Sequence, residues 1–216
     1  MSNDAEKLRG KLDEWKSWMR HDDDHSIYSQ IYQMLWEDAV FRMVNECWRI
    51  CPAGDDGSIR FNSQIHGLIV GNFFQTQAIY IRRLVENNDE KKPNRSVVSL
   101  KRLLDEIETA QKESLLRRGA FLEAHGLPRD PRGFSAKSRE ENSEERISAI
   151  VAESQARHVH ECFDLWCGVI EETRSDDDSI PLEVVETIKS NLRVCEDIKR
   201  FVDKNVAHAA HQSNRL

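Results

Sequence analysis

Apolar residues recur every three to four positions along most of the chain, and its glycines and prolines gather between those stretches. This is helical periodicity interrupted by loops, and it predicts an all-α protein. Residues 3–20 read as a short amphipathic helix carrying Leu8, Leu12, Trp15 and Trp18, stopped by the acidic run Asp22–Asp24. The strongest pattern follows Ser26. Ile27, Ile31, Leu35, Ala39, Met43 and Cys47 lie on one ridge, and Tyr28, Tyr32, Trp36, Val40, Val44 and Trp48 lie on the adjacent one. Two neighbouring apolar ridges make a face wide enough for several partners, so this segment is expected to be the central helix.

Pro52–Ile59, with two glycines and paired aspartates, reads as a turn. Helical spacing resumes over residues 60–87 through Phe61, Ile65, Leu68, Phe73, Tyr80 and Leu84, with Gly67 and Gly71 marking a close approach or a bend. Asn87–Arg95 is a polar loop, and Ser96 can cap a fourth helix that carries Val97, Leu100, Leu104 and Ile107 and continues to His125. Gly126–Ser138 is the longest non-helical stretch; neither flank alone has a self-sufficient core, so it is expected as a loop within one bundle. A fifth helix is predicted from Ser143 to Thr173. A sixth begins near Pro181 and turns Val185, Ile188, Leu192, Cys195, Ile198, Val202 and Val206 inward. The expected architecture is a single up-and-down helical bundle of five to six helices over residues 25–212, preceded by an N-terminal helix or arm over residues 1–24.

Composition narrows the class. The chain has 216 residues, 31 Lys+Arg against 38 Asp+Glu, a net charge of -7 and 39% hydrophobic residues, enough for one core. No run approaches the roughly 18 uncharged apolar residues of a membrane span, and residues 1–20 alternate charged and apolar groups unlike a signal peptide, so a cytoplasmic protein is expected. The cysteines Cys47, Cys51, Cys162, Cys167 and Cys195 sit among apolar residues without C-x-x-C spacing and read as small reduced core residues. An acidic chain does not advertise general nucleic-acid binding, although residues 82–132 carry a slight basic surplus.

Most catalytic constellations are missing. A di-metal site in a helical bundle needs Glu-x-x-His on facing helices, and no histidine here has Glu three residues before it. His158 and His160, two apart, point to different faces; His158 continues the stripe Ser154, Cys162, Leu165 and is expected as a core histidine bonded to a neighbouring helix. The chain has no Gly-x-Ser-x-Gly elbow and no phosphate-binding glycine loop, so no cofactor and no metal is expected. What remains is the end of the sixth helix. Lys204, His208 and His211 share one face there, turned from the inward row. A cation and two imidazoles can move protons during phosphodiester cleavage, while a solvated helix end with basic residues favoured by the dipole explains the same residues.

Asp-Lys-Asn-Val-Ala-His at 203–208, closing the last long helix, is similar to the terminal motif of the HEPN superfamily, especially its AbiU-like abortive-infection branch. Gln75–Glu86 and Ser99-Leu-Lys-Arg-Leu-Leu-Asp-Glu106 point the same way, and the resemblance spans about residues 25–210. It implies a HEPN-like bundle, a homodimer, and an RNA-directed role in phage defence or a toxin–antitoxin system, with a cognate antitoxin or defence protein as partner. Many members are metal-independent endoribonucleases in which an arginine, separated from a histidine by four to six residues, acts in a site composed by two protomers.

His208 matches the histidine, and Asp203 and Lys204 match intervening positions. The arginine does not match, because Phe201, Val202 and Asp203 fill its slots. Arg200 stands one residue too early, about 80 degrees round the helix from His208. Arg82 and Arg83 are alternative suppliers, or else ordinary surface arginines. A relocated site would use His208, Lys204 and Arg200 in catalysis, with Arg82, Arg83 and His211 holding substrate; otherwise the bundle binds without cutting. The competing expectation is a non-enzymatic helical interaction or dimerisation module, in which the aromatic-rich second helix also serves a partner or its own dimer and the first helix, with Trp15 and Trp18, is an arm that docks on a neighbouring protomer.

Overall fold

The computed structural model describes residues 2–20, 26–51, 62–86, 98–129 and 143–205. Among them are seven α-helices: α1 (Asn3–Arg20), α2 (Ile27–Ile50), α3 (Ser63–Leu84), α4 (Leu100–Lys112), α5 (Arg118–His125), α6 (Ser143–Cys167) and α7 (Leu182–Asn205). The all-α class holds. Counting the one at residues 3–20, the spacing traces six helices; seven stand among the described residues, because the fourth breaks in two. Ser114 adopts a left-handed φ of 57°, and the turn it makes buries both Leu115 and Leu116 before α5 begins.

Polar caps set the helix starts. The Ser26 side chain accepts from Ser29 N at 3.1 Å to open α2, and Asn62 Oδ1 accepts from Gln64 N and Ile65 N at 2.9 and 3.2 Å to open α3. Helix α4 is opened by Ser99, whose Oγ accepts from Arg102 N at 3.1 Å; the expected cap Ser96 lies outside the described residues. Glycine sets two of the stops. Gly126 ends α5 at φ 65°, with Leu127 N donating to Leu122 O at 2.8 Å. Gly168 ends α6 at φ 68°, with Val169 N donating to Asp164 O at 3.1 Å. Left-handed glycine lets the chain fold back on the last carbonyls at little steric cost. That is why α6 stops at Cys167 rather than at the expected Thr173, leaving Glu171–Thr173 as a single 3-10 turn.

The contacts divide the chain into two compact units, Met1–Trp15 with Leu104–Ile188, and Lys16–Leu103 with Lys189–Leu216. In the first, Ala5, Leu8 and Trp15 of α1 are buried, as are Ala110, Leu122, Ala156, Phe163 and Val185. An isolated bridge joins Arg117 to Ser179, and Arg118 N and Gly119 N donate to Asp178 O and Asp176 O at 2.7 and 2.9 Å. Gly119 lets the two segments approach closely there, since a Cβ would stand 3.3 Å from Asp176 Cβ. Below the bridge Arg118 is buried, paired with Asp164 and with Asp178 at 3.2 Å, and Arg174 closes on the same Asp164. A buried guanidinium demands such partners, because removing it from water otherwise costs several kcal/mol.

In the second unit α2 lies along α3. Phe41 stacks on Phe73 at 3.9 Å, Trp48 stacks on His66 at 4.3 Å, and His66 Nε2 bonds Asn45 Oδ1 at 2.8 Å. The expectation of a central, covered α2 is corrected here. Only Ile27 and Gln30 of this helix are buried, and Tyr28, Tyr32, Leu35, Trp36 and Met43 are each more than half exposed. Gly67 and Gly71 face open space, so no helix approaches them among the described residues.

Three smaller expectations are also corrected. His158 is exposed, with Cys162 Sγ at 3.6 Å from its Nε2; His160 is the fully buried one, its Nε2 donating to Pro128 O at 3.0 Å. Trp15 and Trp18 are buried within their own chain. Trp15 Nε1 donates to Glu106 at 3.2 Å, and the Arg102 guanidinium lies 4.3 Å over the Trp18 ring, so neither stands out as an anchor for a neighbouring protomer. The cysteines are free, as expected, but Cys47 is exposed and the other four are half-buried.

Burial pushes the Cys167 thiol up to about 11, against the opposing pull of Arg118. Only the thiolate attacks alkylating reagents. Iodoacetamide at pH 8 should therefore modify Cys167 slowly in the folded chain and at an ordinary thiol rate in urea. Equal rates at Cys167 in the two states, read by peptide mass spectrometry, would contradict this burial.

Candidate functional site

The candidate site lies in the second unit, where the C-terminal turns of α3 and α7 carry its residues. Leu84 and Val85 are buried and fix the end of α3. Arg82 and Arg83 fall in its last turn, where cations suit the helix dipole. On α7, Val202 is buried as the inward row requires. One residue is about 100 degrees of helix, so burying Val202 carries Asp203 to the flank and leaves Lys204 exposed.

Asp203 meets Arg82 on that flank. Arg82 Nε donates to Asp203 Oδ1 at 2.5 Å, and Glu86 Oε1 lies 3.8 Å from Arg82 Nη2. The Asp203 bond holds the Arg82 guanidinium above its ordinary value, partly opposed by burial, with Glu86 adding to the rise. The pair is partly open to water, at 34% and 44% exposure, so its contribution to stability is about 0–1 kcal/mol. What it fixes is position. A long, flexible side chain is held against α7 by its inner nitrogen, and the terminal Nη groups lie beyond that bond. Ser99 ties the next segment to the same corner by donating to Glu86 O at 2.8 Å, and Lys101 stands 3.9 Å from Glu196 of α7.

The other expected residues are not gathered. Arg83 is exposed. Arg200 turns to solvent, its Nη2 on Asp197 of its own helix at 2.6 Å with both side chains more than three-quarters exposed. Lys204 is exposed beside Asp203, and His208 and His211 lie outside the described residues. Asp203 as the holder of Arg82 was not anticipated; 121 residues separate them, and no local pattern signals such a pair. Among the described residues no group of three His, Cys, Asp and Glu side chains is placed to hold a metal ion, and no helix is long and apolar enough to cross a membrane. Set against known proteins, the chain matches no family model, no curated protein and no solved structure.

Proposed function

We propose that the chain is a HEPN-like helical protein of bacterial phage-defence or toxin–antitoxin type that acts on or binds RNA as a homodimer, alongside a cognate antitoxin or defence protein. The observation that carries this reading is the Arg82–Asp203 pair. The 203–208 stretch lacks an arginine of its own, and Arg82 brings to it, from another helix, a permanently charged planar donor suited to phosphate. In this reading Lys204 draws the phosphodiester, the Nη groups of Arg82 hold its non-bridging oxygens, and Asp203 is a positioning residue. His208 and His211 handle the protons. One imidazole accepts from the ribose 2′-hydroxyl as the new P–O bond forms, and the other protonates the departing 5′-oxygen.

The test is cleavage of a labelled RNA in chelator. The wild-type protein should cut, His208→Ala should abolish cutting, and Arg82→Ala should lower the rate by about a hundredfold, the scale for removing one donor from a developing anion. Arg82→Lys should fail to restore it, since an ammonium cannot reproduce the fork. RNA that is bound but left intact, with Arg82→Ala weakening binding, supports the non-cutting branch. Wild-type protein that neither binds nor cuts RNA ends the proposal. The second reading, a helical interaction module, is favoured by a different observation, the exposed apolar stripe of α2.

A further inference from the structure

Helix α2 turns two faces to its surroundings. Phe41, Val44 and Trp48 are half-buried or in ring contact on the side that meets α3. At about 100 degrees per residue, the opposite side carries a stripe centred on Ala39. Along it Tyr28, Tyr32, Leu35, Trp36, Met43 and Ile50 are exposed by 55%, 57%, 65%, 58%, 61% and 62%. Aromatic side chains present about 150–250 Å² each when fully open and the aliphatic ones somewhat less, so the exposed part of the six is on the order of 600–700 Å², close to the roughly 800 Å² that one partner contributes to a standard stable interface. An apolar stripe of that size, broken by Glu46 between Met43 and Ile50, marks a contact surface.

The order of residues says what covers it. Leu35 and Met43 stand four residues either side of Ala39, and Tyr28 and Ile50 stand eleven either side. Two copies of α2 laid antiparallel with Ala39 on the two-fold axis would set Leu35 against Met43 and Tyr28 against Ile50, each pair made twice. The small Ala39 lets the helices approach at the crossing. The same operation sets Trp36 against Arg42 and Tyr32 against Glu46. The Arg42 side chain is 79% exposed beside Asp38 and can swing over an indole face; the Glu46 carboxylate, 56% exposed, can accept from a tyrosine hydroxyl. A closed dimer needs one patch complementary to itself under a two-fold operation, and this stripe has that property in both its apolar and its charged positions.

We infer that α2 is a homodimerisation helix, pairing antiparallel with α2 of a second copy across Ala39. This deepens the dimeric part of the proposed function, on which it rests, and is independent of the RNA-directed part. Its first test is mass by light scattering or sedimentation at micromolar concentration. The full chain should run as a dimer. Leu35→Asp combined with Met43→Asp should raise the dimer dissociation constant at least a hundredfold while leaving the helical circular dichroism and the melting temperature of the protomer unchanged, because both side chains are exposed in the protomer.

The second test leaves the large side chains of the stripe intact. With the exposed Cys47 replaced by serine, Ala39→Cys should form a disulfide-linked dimer under mild oxidation, and Gln75→Cys in the same background, at an exposed position of α3, should not. A wild-type chain that stays monomeric at tens of micromolar overturns the inference and gives the stripe to another segment or partner. A dimer that survives the double substitution, or an Ala39→Cys variant that does not cross-link, overturns the surface or its register. Mass is blind to RNA, so an inactive dimer removes the RNA-directed reading alone, and a monomer removes this one whatever the RNA assay gives.

Discussion

Asp164→Ala is expected to destabilise the protein by about 3–5 kcal/mol, the cost of breaking a buried ion pair by removing one partner. Asp164 is the shared anion of two arginines. Arg118 Nη2 bonds its Oδ1, Arg174 Nη2 bonds its Oδ2, and Arg174 Nε donates to Oδ2 at 2.8 Å. Arg118 is 3% exposed and lies 4.9 Å over the Phe163 ring, so it cannot turn to water when its partner goes. Asp178, at 3.2 Å from Arg118 Nε, would remain as its one close carboxylate among the described residues. A loss of this size is a large part of the roughly 5–15 kcal/mol that holds a typical domain together. Urea titration should show a much lower midpoint, and Asp164→Asn, which keeps shape and some hydrogen bonding, should fall between. A midpoint shift worth under about 1 kcal/mol, the value of an exposed pair, would mean that the network is not closed as described.

The same network sets an acid limit. Burial alone pushes the Asp164 carboxyl up, but the bonds from Arg174 and Arg118 outweigh it and hold the group below the ordinary carboxylate value. A carboxylate whose folded value lies below its unfolded value adds stability that is complete above the unfolded pKa, about 4. That stability is lost as pH falls through the lower folded value. Asp164→Asn should therefore flatten the fall in stability on the acid side of about pH 4 and leave its slope near neutrality unchanged.

The helices were legible because caps and apolar spacing are local signals. Residues 3–20 emerged as a helix with the bounds of α1, and Ser26 and Pro181 stand at or beside the starts of α2 and α7. Periodicity reports which positions are apolar, however, and not whether anything covers them. The two ridges of α2 read as a buried centre, yet one side meets α3 and the other is open. His158 and His160 show the same limit at one residue's scale. The apolar stripe ran through His158, while a bond to Pro128 O, 32 residues away, selects His160 for burial. The Arg82–Asp203 pair joins distant helices and leaves no trace in local pattern, and the division into two units falls inside α1, α4 and α7, where no linker composition marks it.

Helix α1 decides between an arm and a structural element, and Leu8→Ala is the substitution that separates them. Leu8 and Ala5 are fully buried, at 0% exposure each. Around them α1 makes ion pairs at Lys7–Glu113, 2.7 Å, and Asp4–Arg117, 3.1 Å, both well exposed. Exposed pairs are worth about 0–1 kcal/mol each, whereas truncating a buried leucine removes transfer energy and leaves a cavity, together about 2–5 kcal/mol. Burial therefore dominates the attachment. Leu8→Ala should lower the melting temperature by roughly 5–15 °C, at about 2–4 °C per kcal/mol for a chain of this size, and Lys7→Ala should leave it nearly unmoved. A detachable arm would give the opposite pattern, with Leu8→Ala melting like wild type. Thermal circular dichroism of the two variants distinguishes these outcomes, and a buried Leu8 requires that the part of α1 up to Trp15 melt with the rest of its unit.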